Sequence, residues 1–266
     1  MPELPEVETI KRDLQKKIID KKIIDVKINH SKVIKEPSLE EFKKEVTGET
    51  VRDIERKAKI LIFKLKKDKF LIIHLRISGW ILYGDENEKA RVVFKLSDGN
   101  VLNYMDQRVL GELRLRKDYK DLKFIQKLGP EPFQIKLDHF RDILKKRKTK
   151  IKALLLDQNL ISGIGNIYAQ EALFLAKIDP RRPANSLSSK ETEVLLDKII
   201  FVLKAGIKHR GSSVDDYRDT KGQRGGMEKR LKVYARKGQP CLTCKGLIEK
   251  ISLAGRGTCF CPRCQR

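Results

Sequence analysis

A chain of 266 residues is long enough for two domains and a sizeable core, and 40% hydrophobic content is ordinary for a globular protein. Its longest apolar runs are strand-length and interrupted by lysines, and no basic region followed by an apolar stretch stands at its start, so the expectation is a cytoplasmic protein without a membrane span. The 59 Lys and Arg against 36 Asp and Glu leave a charge of +23, which points to a polyanionic partner, nucleic acid before an anionic membrane surface.

The chain opens Met1-Pro2-Glu3-Leu4-Pro5-Glu6. Removal of Met1, easy ahead of a small residue, would leave Pro2 as a free secondary amine flanked by two carboxylates. A terminal amine titrates near 7.7–8.0 against about 10.4 for lysine, so roughly a tenth is neutral at pH 7. A neutral secondary amine can attack an electrophilic sugar carbon and form an iminium. Behind it, Val7, Ile10, Leu14 and Ile18 recur at helical steps and predict an amphipathic helix over residues 5–18. Pro5 suits its first turn, where Glu3 and Glu6 would also complement the helix dipole.

Short apolar or alternating runs come next at residues 23–29, 51–56, 60–65, 69–75, 80–83, 91–96 and 101–104, with Asp98-Gly99 as a hairpin signal. With no helix read between them, they predict an antiparallel β-sandwich with the first helix packed beside it. The pattern changes near residue 116. A helix over 119–128, the breaker Gly129-Pro130-Glu131-Pro132 and a helix over 137–146 read as an inter-domain connection and the opening of a helical domain. Further helices are expected at 151–159, 166–177 and 189–209, the last opened by a Ser188–Glu191 capping box. Residues 211–227 are polar, hold four glycines and read as a mobile loop. The fold class is therefore α+β with two domains. The expected divisions are a sandwich with its N-terminal helix over 1–116, a connection over 117–135, a helical domain over 136–228 and a cysteine-centred tail over 229–266.

That tail holds all five cysteines, and from residue 204 onward there are 16 basic and 5 acidic residues. Cys241-x2-Cys244 and Cys261-x2-Cys264 are two thiolate knuckles, which together complete a closed tetrahedral zinc shell with no position open to water. The metal is thus structural and Cys259 is spare. Between the knuckles Arg256 would ride on a rigid hairpin. Gly163-Ile164-Gly165-Asn166, between two short helices, is either a simple turn or a backbone cradle for a phosphate.

Three separated motifs in collinear order carry a resemblance: Pro2 to Glu8, Leu156-Asp157-Gln158 with Gly163 to Tyr168, and Gly255-Arg256-Gly257-Thr258 through Cys261-Pro262-Arg263-Cys264-Gln265. The chain resembles the bacterial formamidopyrimidine-DNA glycosylases from end to end. The similar endonuclease VIII type, which acts on oxidised pyrimidines, typically has Gly where Leu4 stands here. The resemblance implies a helix-two-turn-helix domain before a zinc-finger hairpin, and a bifunctional glycosylase and lyase of base excision repair. Its substrates would be oxidised purines such as 8-oxoguanine and formamidopyrimidines in duplex DNA.

By that resemblance Pro2 is the nucleophile at C1′, Glu3 the acid and base that helps open the sugar, and Glu6 a support of the site. Lys59 matches the lysine of β-elimination and Arg256 the finger arginine of δ-elimination. The family fills the hole left by the flipped base with Met, Arg and Phe, and the matching positions here hold Ile77, Arg108 and Leu110. Two of the three are substitutions, and without the resemblance Ile77 and Leu110 read equally well as sandwich core. His74 and Asn166 match phosphate ligands, Tyr234 sits in the matching Val-Tyr-x-x-Lys-Gly segment, and Lys89 and Arg147 fall near DNA contacts. Residues 211–227 resemble the segment that closes over the flipped base. The expected assembly is a monomer on damaged duplex DNA with one zinc ion and no membrane. A non-catalytic zinc-bearing DNA binder is the alternative from another class, distinguished by intact strands after incubation.

Overall fold

The computed structural model describes residues 2–214 and 217–266; Met1 and two aspartates of the 211–227 loop lie outside them. The chain divides into two compact units, one running to Gln126 and including His209–Gly226, the other comprising Lys127–Lys208 and Met227–Arg266.

The first unit begins with α1 (Leu4–Ile18), whose Val7, Ile10, Leu14 and Ile18 are fully buried as their spacing requires. Among the described residues nine strands come after it: β1 (Ile23–Ile28), β2 (Ile34–Glu36), β3 (Val51–Lys57), β4 (Ile60–Leu65), β5 (Phe70–His74), β6 (Gly79–Gly84), β7 (Val92–Leu96), β8 (Val101–Asp106) and β9 (Glu112–Arg116). They form a four-stranded sheet in the order β1-β7-β8-β6 and a five-stranded sheet in the order β2-β9-β5-β4-β3. Phe63, Leu71 and Ile73 from one sheet and Ile81, Phe94 and Tyr104 from the other share a single core with the apolar stripe of α1. Asp98-Gly99 turns β7 into β8 as expected, with Leu102 opposite Phe94.

Several features depart from the sequence expectation. A helix α2 (Leu39–Val46) lies among the strands, capped by Ser38, whose Oγ accepts the Glu41 N–H at 3.4 Å. Its signal was present in Leu39, Phe42 and Val46 at helical spacing, the last two fully buried. The sandwich is also not wholly antiparallel, because β2 pairs with β9 in parallel. The helix expected over 119–128 shrinks to one turn, α3 (Lys123–Gln126), since the Asp118 carboxylate captures the Lys120 N–H at 2.8 Å in a local turn that competes with the helix.

The second unit holds α4 (Leu137–Lys145), α5 (Ile151–Leu156), α6 (Asn166–Leu175) and α7 (Ser189–Lys208). α5 is shorter than expected because Asp157 binds the Asn159 N–H at 2.9 Å and turns the chain. The Ser188 capping box on α7 is formed, Glu191 N–H to Ser188 Oγ at 3.2 Å and Ser188 N–H to Glu191 Oε2 at 2.8 Å. The unit ends in a hairpin of β10 (Glu249–Leu253) and β11 (Arg256–Phe260). Among the described residues no helix is long and apolar enough to cross a membrane.

Residues 209–226, expected within the helical domain, group with the sandwich. Their described part is anchored rather than loose: the Thr220 carbonyl accepts the Tyr83 N–H at 2.9 Å on the edge of β6, and Ser212 bridges to Gly226.

Candidate functional site

The start of α1 is an assembled acidic corner. Pro2 is buried, and Glu3 and Glu6 are each 1% exposed. Their carboxylates meet one another's backbone N–H groups in a capping box, with Glu3 N–H to Glu6 Oε2 at 2.8 Å. Glu6 Oε1 accepts the Ser212 N–H at 2.8 Å, so one carboxylate joins the helix start to the 209–226 segment. Gly211 permits this approach: at φ +83° an added Cβ would lie 2.8 Å from Glu6 Cγ and from the Tyr217 ring.

Lys59, 8% exposed, occupies the turn between β3 and β4 beside Ala58, whose φ is +53°. Arg56 fixes that turn, donating from Nη1 to the Ala58 carbonyl at 2.9 Å and from Nε to Glu8 Oε2 at 2.8 Å. Glu8 lies two residues after Glu6 on the same helix, so the helix and the lysine turn share one part-buried ion pair. His74 ends β5 opposite Ile60, the residue after Lys59. Its Nδ1 accepts the Arg76 N–H at 3.1 Å. Burial, helped by the cations of Arg76, Lys59 and Arg114, pushes its pKa down to about 3. It is therefore neutral at pH 7 with its proton on Nε2, a hydrogen-bond donor that carries no charge.

Ile77 and Leu110 are 39% and 42% exposed, on the loops after β5 and after β8. They are not core, which removes the ordinary reading of both. Arg108 is on the second of these loops and Lys89 is exposed on the loop after β6.

The remaining sequence-predicted residues belong to the second unit. The four cysteine Sγ atoms lie within 4.8 Å of one another, with Cys241 to Cys264 at 3.9 Å and Cys244 to Cys261 at 3.5 Å. Tetrahedral zinc with Zn–S of about 2.3 Å separates its sulfurs by about 3.8 Å, so this donor set fits a structural zinc ion. Cys259 is not among the four; it is buried in the cluster that Phe174, Val233 and Ile248 form with Cys241 and Cys261. Arg256 is exposed at the tip of the β10–β11 hairpin, next to the turn residues Ala254 and Gly255. The hairpin is anchored to α6, where Gln170 Oε1 accepts the Cys259 N–H at 2.6 Å and Asn166 Nδ2 donates to the Gly257 carbonyl at 3.3 Å. Gln158 shapes the glycine turn before α6, accepting the Gly163 N–H at 2.9 Å and donating to the Ile164 carbonyl at 2.8 Å. The Tyr234 N–H binds the buried Glu171 at 2.9 Å, and Arg147 is exposed beyond α4.

Sequence reasoning missed the residues that position others. Glu8 and Arg56 are one example. Another is Arg210, which pairs with Asp13 of α1 at 2.5 Å and with Asp219 at 2.6 Å. Such cations look like any other in a chain with 59 of them, and only the fold reveals the partner.

Residues 1–113 match the family described as formamidopyrimidine-DNA glycosylase N-terminal domain, residues 128–218 its H2TH domain, and residues 238–266 a zinc finger found in FPG and IleRS. The chain is 43% identical over 274 residues to a formamidopyrimidine-DNA glycosylase of Streptococcus pneumoniae and 40% identical over 272 residues to that of Mycoplasma mobile. Each match covers 100% of this chain and 99% of the relative. It is also similar to Lactococcus lactis Fpg solved with DNA containing an abasic site, at 38% identity, TM-score 0.93 and complete coverage of both chains. A Lactococcus lactis mutant solved with Fapy-dG containing DNA matches at 39% identity and TM-score 0.92, again over both whole chains.

Proposed function

Because the chain belongs to the formamidopyrimidine-DNA glycosylase family, we propose that its Pro2 amine, freed of Met1, excises oxidised purines from duplex DNA and then cuts the strand. The protein is a base excision repair glycosylase and lyase with a structural zinc site. The observation that carries the residue assignment is the acidic corner, in which Pro2 is buried beside Glu3 and Glu6 holds the helix start against Ser212.

Each step can be assigned to these groups. The neutral Pro2 nitrogen attacks C1′; the glycosidic bond breaks and its electron pair leaves with the damaged base, which takes up the proton that the Pro2 nitrogen loses. Glu3 gives a proton to the ring oxygen, the sugar opens and an iminium stands at C1′. The iminium acidifies the C2′ proton. Loss of that proton expels the 3′ phosphate, and a second elimination expels the 5′ phosphate. Lys59 and Arg256 are assigned to these two eliminations, where fixed cations stabilise departing phosphate. Cys241, Cys244, Cys261 and Cys264 hold the zinc ion, which shapes the hairpin bearing Arg256 and takes no part in the chemistry.

Ile77, Arg108 and Leu110 fill the space left by the extruded base, and the exposure of Ile77 and Leu110 on two loops supports this. His74, Lys89, Arg147, Asn166 and Tyr234 contact the backbone. In functional terms residues 1–116 carry the chemistry, 117–135 connect, 136–228 and 229–266 grip the duplex, and the enzyme works as a cytoplasmic monomer on nucleoid DNA. Duplexes carrying 8-oxoguanine, a formamidopyrimidine or an oxidised pyrimidine, incubated side by side, test the substrate class. The purine lesions should be cut first, leaving phosphate on both ends of the gap; faster cutting of the pyrimidine lesion would assign the endonuclease VIII type instead.

A further inference from the structure

Two loops carry the three residues assigned to fill the emptied base position, and one buried carboxylate ties them together. Asp106, 1% exposed, ends β8. Its Oδ1 accepts the hydroxyl of Ser78 at 2.6 Å, and its Oδ2 accepts the Gly111 N–H at 2.7 Å and, more weakly, the Tyr104 hydroxyl at 3.4 Å. Ser78, also 1% exposed, in turn accepts the Arg108 N–H at 3.2 Å. Each filling residue is therefore anchored at its own amide or at the next residue: Ile77 through Ser78, Arg108 directly, and Leu110 through Gly111.

The arrangement is tight. A Cβ on Gly111 would lie 1.6 Å from the Tyr104 hydroxyl, so only glycine lets the second loop reach the carboxylate. Val109, a β-branched residue, is held at φ +54° between two of the filling residues, a conformation that persists only where its surroundings fix it. The backbone of Asp106 is fixed as well, since Arg91 Nε donates to its carbonyl at 2.7 Å.

We propose that Asp106, acting through Ser78 and Gly111, is a positioning residue that sets the two base-filling loops in register, so that Ile77, Arg108 and Leu110 enter the duplex as one unit. The inference rests on the filling role assigned to those three residues. Aliphatic side chains such as Ile77 and Leu110 stack weakly on bases, so their effect depends on where the backbone places them. A carboxylate is suited to this task because both its oxygens accept; an asparagine can accept on one side only and must present N–H groups to a donor on the other.

The test compares Asp106→Asn, Ser78→Ala and the double variant Ile77→Ala with Leu110→Ala. Each is assayed on an 8-oxoguanine duplex, on a single-stranded oligonucleotide with a preformed abasic site, and by stopped-flow fluorescence of 2-aminopurine beside the lesion. Asp106→Asn is expected to slow the fluorescence step and duplex excision at least about tenfold, with single-strand cleavage within about twofold of the wild type; Ser78→Ala is expected to show a smaller loss of the same kind. Equal losses on duplex and single strand, or no loss on either, would overturn the proposal. If the double variant slows the fluorescence step while both positioning variants leave it unchanged, the positioning role is overturned and the filling role stands. If the double variant itself is without effect, the filling role falls and the positioning role falls with it. Thermal melting shows whether Asp106→Asn folds; should it not, Ser78→Ala, which leaves the Gly111 contact in place, decides the matter by the same comparison.

Discussion

Arg56 and Glu8 form a part-buried ion pair at 2.8 Å, each side chain 10% exposed, and the other end of the same guanidinium holds the carbonyl of Ala58 next to Lys59. The helix that begins just after Pro2 and the turn that carries Lys59 thus share one cation.

Glu8→Gln removes the carboxylate that Arg56 Nε donates to and should destabilise the first unit by about 2 kcal/mol at pH 7. Burial alone would raise the Glu8 pKa, but hydrogen bonds from Arg56 and Arg12 outweigh it and hold the carboxyl below its ordinary value of 4.5. A depressed carboxyl contributes stability above its unfolded pKa and loses it as pH falls through the folded one. Urea unfolding of the wild type and Glu8→Gln should therefore show a gap that is full above 4.5 and closes below it. A gap independent of pH would contradict the pair.

His74 should not titrate in the folded protein between about pH 5 and 8. Its folded form resists a proton that the unfolded chain accepts near 6.5, so it costs stability as pH falls from 6.5 towards 3. In the phosphate contact proposed for it, a neutral His74 would release no counterion. His74→Leu should weaken DNA binding by about 1 kcal/mol without changing the salt slope, whereas Arg147→Ala should lower that slope by about 1. A His74 signal titrating near 6.5, identified by its loss in His74→Leu, or a slope altered in that variant, would refute this assignment.

The pairing of Arg210 with Asp13 and Asp219 holds the 209–226 segment on α1, with the Thr220 hydroxyl on Asp13 at 3.0 Å. Arg210 is partly exposed, so Asp13→Asn should cost only about 1 kcal/mol. If the segment covers the extruded base, that loss should slow base excision about fivefold and leave cleavage of preformed abasic sites unchanged. Hydrogen exchange should rise in residues 209–226 and not in β4. A uniform rise, or equal slowing of both reactions, would argue for general destabilisation instead.

Zinc removal gives a separate check. Cys261→Ser should abolish zinc content and loosen the β10–β11 hairpin, because metal binding and folding of such a module are one equilibrium. Cys259→Ser should keep one zinc per chain, since that thiol is not among the four whose sulfurs lie within 4.8 Å of one another. Loss of zinc from the Cys259 variant would reassign the ligand set.

Much of the fold was readable where one residue type has one use. The stripe of Val7, Ile10, Leu14 and Ile18, the Asp98-Gly99 turn and the Ser188–Glu191 box each have a local cause, and each stands in the structure as read. The zinc ligands were legible because Cys-x2-Cys spacing is itself geometric. The parallel edge strand β2 was not, for its three residues acquire a strand only by meeting β9. Asp118 and Asp157 shortened two helices through side-chain contacts that helical periodicity does not register. In the candidate site Pro2 and Glu3 stood out by position, but Lys59 was one lysine among many, and Arg56, Arg210 and Asp106 gain meaning only from partners distant in sequence.

The central claim is that the Pro2 nitrogen bonds to the sugar. Its most direct measurement is the intact mass of the protein after incubation with an 8-oxoguanine duplex and borohydride, followed by peptide mapping. The predicted result is a chain without Met1 carrying one covalent DNA adduct on Pro2, and no adduct, at matched binding, on protein that retains Met1 and so holds the Pro2 nitrogen as an amide. An adduct on a lysine, or unblocked protein that cuts damaged DNA without ever being trapped, would contradict it.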